Sequence, residues 1–340
     1  MAVRLSVLDL ATAGGGVTPR DALLGSAELA RHAERWGYGR YWFSEHHNMP
    51  SIVSSTPAVL AGFIASHTER IRVGSGGVML PNHSPLVIAE QYGTLETLYP
   101  GRIDLGLGRA PGTDFETVQA MRRSPDASER FPQDVQELQR LLGPARPGAT
   151  VRAIPGEGTE VPLYILGSSL FGAGLAAHLG LPYAFASHFA PAELLNAARV
   201  YRAEFRPSEA LQEPYMIASM NVFAADTDDE ARLLHATALE KMARALSGRS
   251  VDRGDRAETE ALLRSPVGRH AQQMLHFSAV GDAEGAAEQV ASFAEASGAD
   301  EVMVAMNVAD LSARIRSYEL LASVLVQDEA QTVVGGGAAD

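Results

Sequence analysis

Along the chain, short apolar runs alternate with longer stretches in which apolar residues return every three or four positions. The first pattern predicts buried strands and the second predicts helices that bury one stripe. Strands are expected at 5–10, 40–44, 71–80, 103–107, 163–166, 183–186, 215–224 and 301–305. Helices are expected at 19–36, 56–67, 85–98, 129–142, 170–179, 191–205, 227–246, 283–297 and 311–325. Thr18-Pro19 and Ser84-Pro85 each place a cap oxygen before a proline at the first helical position.

Eight βα units in 340 residues predict an α/β protein with a (β/α)8 TIM barrel and loop insertions, since such barrels take about 250 residues. A doubly wound sheet fits less well. The glycines at 14–16 after the first strand lack the G-x-G-x-x-G spacing of a dinucleotide turn. The expected layout is one domain over 1–330 and a disordered tail over 331–340. Three insertions stand out at 110–128, 143–161 and 247–280. The first and third are expected to wall or cover the mouth of the barrel, with a solvated excursion as the alternative for the third.

Composition then narrows the function. The formal charge of −13 disfavours nucleic acid and anionic lipid surfaces. There are no cysteines, which excludes disulfides, thiolate metal sites and cysteine nucleophiles. The first ten residues read as a strand rather than a secretion signal, and no window approaches the roughly 18 apolar residues of a membrane span. A cytoplasmic location is expected.

Four stretches carry candidate chemistry. Residues 42–50 (WFSEHHNMP) place Glu45, His46 and His47 at a strand end, where an imidazole beside a carboxylate can act as a general base. A metal site through Glu45, His46 and His188, or a purely structural histidine, would also account for them. Residues 73–81 (VGSGGVMLP) put Gly76 and Gly77 inside a strand, which suits either a flat ligand approaching the backbone or a bulge. Arg109, where the fourth strand gives way to its loop, could clamp a phosphate or pair with Asp114. At 166–169 (LGSS), Gly167, Ser168 and Ser169 lead into a helix N-terminus and could bind an anion or form an ordinary cap.

Taken together, EHH at 45–47, MLPNHSPLVIAEQ at 79–91, LYPGRIDLGLGRAPGTD at 98–114 and the LGSS turn resemble the bacterial luciferase-like superfamily of flavin-dependent monooxygenases. The similarity runs from Val3 to about Leu325. The resemblance implies a homodimeric barrel in which FMN, reduced by a separate flavin reductase, is used with O2 to oxidise a carbonyl or another small organic substrate. It further implies that His46, assisted by Glu45, is catalytic. By the same match Gly76 and Gly77 lie beside the flavin ring, often joined by a cis peptide, and Arg109, Gly167, Ser168 and Ser169 hold the phosphate. Asp9 and His188 are expected at strand ends facing the same mouth. Light-emitting members carry a cysteine just before the phosphate arginine, where this chain has Gly108, so light emission is not expected. A deazaflavin-dependent hydride-transfer enzyme, a non-catalytic flavin-binding subunit and a metal-dependent hydrolase remain as alternatives.

Overall fold

Alternation of side chains between two faces of each strand sorts the apolar residues into two cores. The computed structural model, which describes residues 3–124, 126–248 and 255–326, shows both. Strands β1 (Leu5–Asp9), β2 (Arg40–Phe43), β3 (Arg72–Met79), β4 (Ile103–Gly108), β5 (Leu163–Gly167), β6 (Tyr183–Phe185), β7 (Met216–Ala224) and β9 (Glu301–Ala305) pair in parallel, and β6–β7 pairing closes the ring. The predicted TIM barrel and its eight strands are present. Leu8, Trp42, Tyr164, Ala184, Ile217, Met303 and Ala305 point inward and pack together. Their neighbours Val7, Tyr41, Phe43 and Val304 point outward, into the larger core under the helices.

The helices are α1 (Pro19–Arg35), α2 (Pro57–Ala65), α3 (Pro85–Leu98), α4 (Phe115–Ala120), α5 (Phe131–Leu142), α6 (Leu170–Leu179), α7 (Leu194–Glu204), α8 (Asp228–Leu246), α9 (Arg256–Arg264), α10 (Pro266–Met274), α11 (Ala283–Ser297) and α12 (Leu311–Leu325). Thr18 caps α1 through a reciprocal box with Asp21, whereas the Ser84 side chain makes no cap bond to α3.

Four elements were not expected: α4, α9, α10 and β8. The insertion at 110–128 contains α4. The insertion at 247–280 leaves the end of α8 rather than a strand. It contains α9 and α10, whose Leu262 and Ala271 pack on Ala243 of α8, together with a ninth strand, β8 (Ser278–Gly281), paired with the far half of β7. Phe277, the last residue before β8, has its carbonyl bonded by the Asn221 N–H at 3.0 Å, and the Asn221 side-chain amide donates to the His188 carbonyl, so the end of this insertion lies beside the segment that follows β6. The expected tail at 331–340 lies outside the described residues.

At the N-terminal ends of the strands the inward side chains are charged. Arg40 pairs with Asp104 at 2.8 Å and Glu301 at 2.7 Å. Tyr164 and Trp42 also join this network: Tyr164 Oη accepts from Arg40, and the Trp42 indole donates to Asp104. Buried charges survive here because each finds a partner. This plug seals the floor and leaves the opposite, C-terminal end as the open mouth. Among the described residues no helix is long and apolar enough to cross a membrane.

Candidate functional site

The mouth is built from the loops that follow β2 to β6. Past the end of β2 the chain is pinned by the His46 N–H donating to the Ser54 carbonyl at 3.1 Å. The His46 ring shares a hydrogen bond with Ser44 through Nδ1 at 3.1 Å, and Ser44 Oγ contacts Ser54 Oγ at 3.0 Å. One ring nitrogen is thus oriented, and Nε2 makes no hydrogen bond to any described residue. Burial holds the imidazole below its usual range, with the Glu45 charge opposing. A neutral, oriented histidine is suited to accept a proton.

Glu45 has a different place from the one expected. Its carboxylate is fully buried and accepts from His47 Nε2 at 2.8 Å, His83 Nε2 at 2.8 Å, the Met79 N–H at 3.0 Å and the Asn82 amide at 3.4 Å. Burial alone would raise its pKa, but the bonds from His47 and His83 prevail and bring it down to about 2. Such a saturated carboxylate is a tie between loops, not a base. The tie reaches further: Asn82 also donates to the Pro111 carbonyl, Thr113 to the His47 carbonyl and Asn48 to Thr117 on α4. His83 and Asn82 were not foreseen. Both lie in the MLPNHSPLVIAEQ stretch that carries the family resemblance, but no local spacing relates them to Glu45.

The Gly76–Gly77 peptide is cis, at the point where the β3–β4 register shifts between Ser75 and Val78. A Cβ on Gly76 would lie 2.8 Å from Leu8 Cδ1 and 3.1 Å from Trp42 Cε3, and one on Gly77 would lie 2.8 Å from the Gly106 carbonyl oxygen. Packing within the barrel therefore already demands small residues here, so the bulge reading accounts for the glycines without a ligand.

Arg109 and the LGSS turn come together. The guanidinium of Arg109 stacks on Phe171, in the first turn of α6, with Cζ 4.1 Å from the ring centroid. Among the described residues Arg109 has no acidic partner; Asp114 instead caps α4 by accepting from the Thr117 N–H. Ser169 occupies the N-cap of α6 without a side-chain cap bond. A Cβ on Gly167 would meet nothing closer than 3.6 Å, so the protein itself does not require that glycine. An unpaired guanidinium over an uncapped helix N-terminus, beside two hydroxyls, fits a phosphate monoester.

Asp9 does not face this mouth. It points outward, where its carboxylate takes Arg314 Nη2 at 2.5 Å, the Ala11 N–H at 2.8 Å and the Tyr41 hydroxyl. Burial would raise its pKa, but Arg314 together with the hydrogen bonds from Ser26, Tyr41 and the Ala11 N–H outweighs it and holds it below the usual carboxylate range. The expectation that Asp9 lines the mouth is corrected: Asp9 binds β1 to α12. His188 lies three residues past the end of β6, with Nδ1 buried and without a hydrogen-bond partner. Among the described residues no three of His, Asp and Glu are arranged to hold a metal ion.

A family model described as luciferase-like monooxygenase matches residues 3–301. A protein of Escherichia coli (strain K12) named luciferase-like monooxygenase is 45% identical over 324 residues, covering 95% of this chain and 97% of that protein. The N-acetyl-S-alkylcysteine monooxygenase of Bacillus subtilis (strain 168) is 37% identical over 271 residues, covering 77% of this chain and 79% of that one. Among solved structures, apo-MsnO8 superposes with a TM-score of 0.86 at 36% identity, over 94% of this chain and 98% of that one. The barrel fold is also shared, at 17% identity and a TM-score of 0.67, with the FMN-bound oxygenating constituent of 3,6-diketocamphane monooxygenase from Pseudomonas putida. It covers 94% of this chain and 97% of that one.

Proposed function

The chain belongs to the luciferase-like monooxygenase family and is thus an oxidoreductase, and we propose that it uses reduced FMN and O2 to oxidise a small organic substrate. The observation that carries this reading is the meeting of Arg109 with the open N-terminus of α6 at one side of a mouth that also holds a neutral, oriented His46.

Bound FMN would supply the redox chemistry with oxygen. The chain's own residues bind, orient and move a proton. Arg109, Ser168, Ser169 and the N–H groups opening α6 would hold the phosphate, with Gly167 leaving room for it. Gly76 and Gly77 would lie beside the ring. His46 Nε2 would take or return a proton, while Ser44 and Ser54 keep the imidazole in one orientation. Glu45 would act only through His47 and His83, by fixing the loops around that histidine. His188 belongs to the same mouth.

A separate flavin reductase fits this reading, because the FMN-bound fold neighbour is itself named as one oxygenating constituent. A homodimer is part of the proposal: Val59 of α2 and Val87 and Leu98 of α3 are exposed, although Ile88 and Leu95 turn into the core. The proposed location is cytoplasmic, where reduced flavin is produced.

The test is binding followed by reoxidation. Flavin fluorescence titrations with oxidised FMN and with a deazaflavin cofactor should show micromolar binding of FMN alone. Mixing photoreduced FMN and protein with oxygenated buffer should then give an absorbing species that outlives free reduced FMN and decays faster in His46→Ala. If FMN fails to bind, the proposal is wrong. Binding with uncatalysed reoxidation would leave a non-catalytic subunit, and preference for the deazaflavin would point to hydride transfer.

A further inference from the structure

Asn82 grips the excursion between β4 and α5 at both of its ends. Its side-chain amide donates to the Pro111 carbonyl at 2.9 Å, and its own carbonyl accepts from Arg123 Nε at 2.7 Å. Residues 112–122, with α4 among them, lie between those two points. Asn82 is 6% exposed, and its amide also reaches Glu45 at 3.4 Å. One buried side chain thus joins the carboxylate hub to the base of the loop that begins with Arg109.

The main chain of Arg109 is fixed on both sides. Before it, Gly108 is the last residue of β4 and pairs with Met79 of β3 and Leu166 of β5. After it, only Ala110 precedes Pro111. Proline fixes its own φ and confines the residue before it to extended backbone, so anchoring the Pro111 carbonyl sets the path of the span 109–110. Among the described residues the Asn82 amide makes the one side-chain hydrogen bond to 109–111. Gly112 continues the contact: at φ +65° its Cβ would lie 2.9 Å from the Glu45 carbonyl oxygen and 3.0 Å from Met79 Cγ, so the loop runs against the hub.

We propose that Asn82 is a positioning residue for the Arg109 clamp: by holding Pro111 it fixes the main chain from which the guanidinium reaches the phosphate. A charged contact is only as precise as the backbone that carries it, and hydrogen bonds one step removed from the ligand supply that precision. This role rests on the flavin reading, since the phosphate is the flavin's. Asn82 acts through Arg109 and not on the flavin itself, so its loss should loosen the phosphate end of the site and leave the riboflavin part as it was.

The test has a ligand-free arm and a binding arm, both on full-length protein. In Asn82→Ala, amide hydrogen exchange should speed up roughly tenfold in peptides covering 109–124 and keep the wild-type rate in those covering 163–179. Fluorescence titration should show FMN bound roughly three- to tenfold more weakly, the value of one neutral hydrogen bond, with riboflavin unchanged. In the Arg109→Ala background, Asn82→Ala should weaken FMN no further, because the residue it positions is gone. Unchanged exchange overturns the proposal, as does an equal loss for FMN and riboflavin or a full second loss in the Arg109→Ala background; each would leave Asn82 as a structural tie. Asn82→Leu, which keeps the volume and removes both donors, provides the same measurements if Asn82→Ala does not fold. Wild-type protein that binds neither FMN nor riboflavin would sink the flavin reading; the exchange arm then still decides whether Asn82 holds the Arg109 loop, and the double-variant comparison is read with inorganic phosphate by 31P line broadening.

Discussion

Arg109 lies over Phe171, with Cζ 4.1 Å from the ring centroid, so the residue that follows the β4 strand is steered onto the first turn of α6. The ring fixes where the guanidinium sits without neutralising it. Charge-assisted hydrogen bonds contribute about 1.5–3 kcal/mol each, so Arg109→Ala should weaken FMN roughly 10- to 100-fold. Riboflavin, which lacks the phosphate, should bind both proteins equally. Paired fluorescence titrations measure the difference, and an equal loss for both ligands would place Arg109 elsewhere in the site.

Glu45 predicts an acid-dependent stability. Its carboxyl sits at about 2 in the folded protein, against an ordinary 4.5. A group whose pKa is depressed on folding stabilises the fold above its unfolded value and loses that contribution as pH falls toward the folded one. The window here is pH 4.5 down to 2, and the contribution is about 3 kcal/mol. Glu45→Gln should lower the urea midpoint at pH 7 and flatten its decline across that window. A variant as acid-sensitive as wild type would show that the hub of His47, His83 and Met79 does not depend on the charge.

Most of this barrel is legible in the chain because local pattern and global fold agree. Val7 and Leu8, or Phe43 and Trp42, alternate between two cores, and α6, α11 and α12 begin and end where periodicity places them. β8 was not legible: four residues, SAVG, at the end of a helical insertion carry too little pattern. The site divides in the same way. His46, Arg109 and Ser169 lie at strand or helix ends that periodicity locates. Which partners satisfy Glu45 or Asp9 depends on parity and on loops brought together from elsewhere. Asp9 stands one residue beyond inward-facing Leu8, and that single step turns it from the mouth to Arg314.

The Asp9–Arg314 pair supplies a test of that assignment. Both side chains are buried, and removal of one partner from such a pair leaves an uncompensated charge that costs about 3–5 kcal/mol. Arg314→Ala should therefore lower the denaturation midpoint sharply, while the folded fraction keeps wild-type FMN affinity. Chemical denaturation together with FMN titration at low temperature separates the two effects. A selective loss of FMN binding in a stable variant would return Asp9 to the mouth.

The last prediction concerns the crowding around Gly76. A Cβ there would lie 2.8 Å from Leu8 Cδ1 and 3.1 Å from Trp42 Cε3. Leu8 Cδ1 is the end of a flexible side chain and can give way. Trp42 cannot: its indole donates to Asp104 at 3.0 Å, and its ring meets Tyr164 edge-on at 4.9 Å. Overpacking of this kind costs about 1–3 kcal/mol, so Gly76→Ala should be destabilised by that amount in urea unfolding. Adding Leu8→Val removes one of the two obstructions and should restore part of the loss. A double variant no more stable than Gly76→Ala would show that Trp42 alone sets the limit, and that the inner face of β3 is glycine because the indole beneath it is fixed by the charged plug.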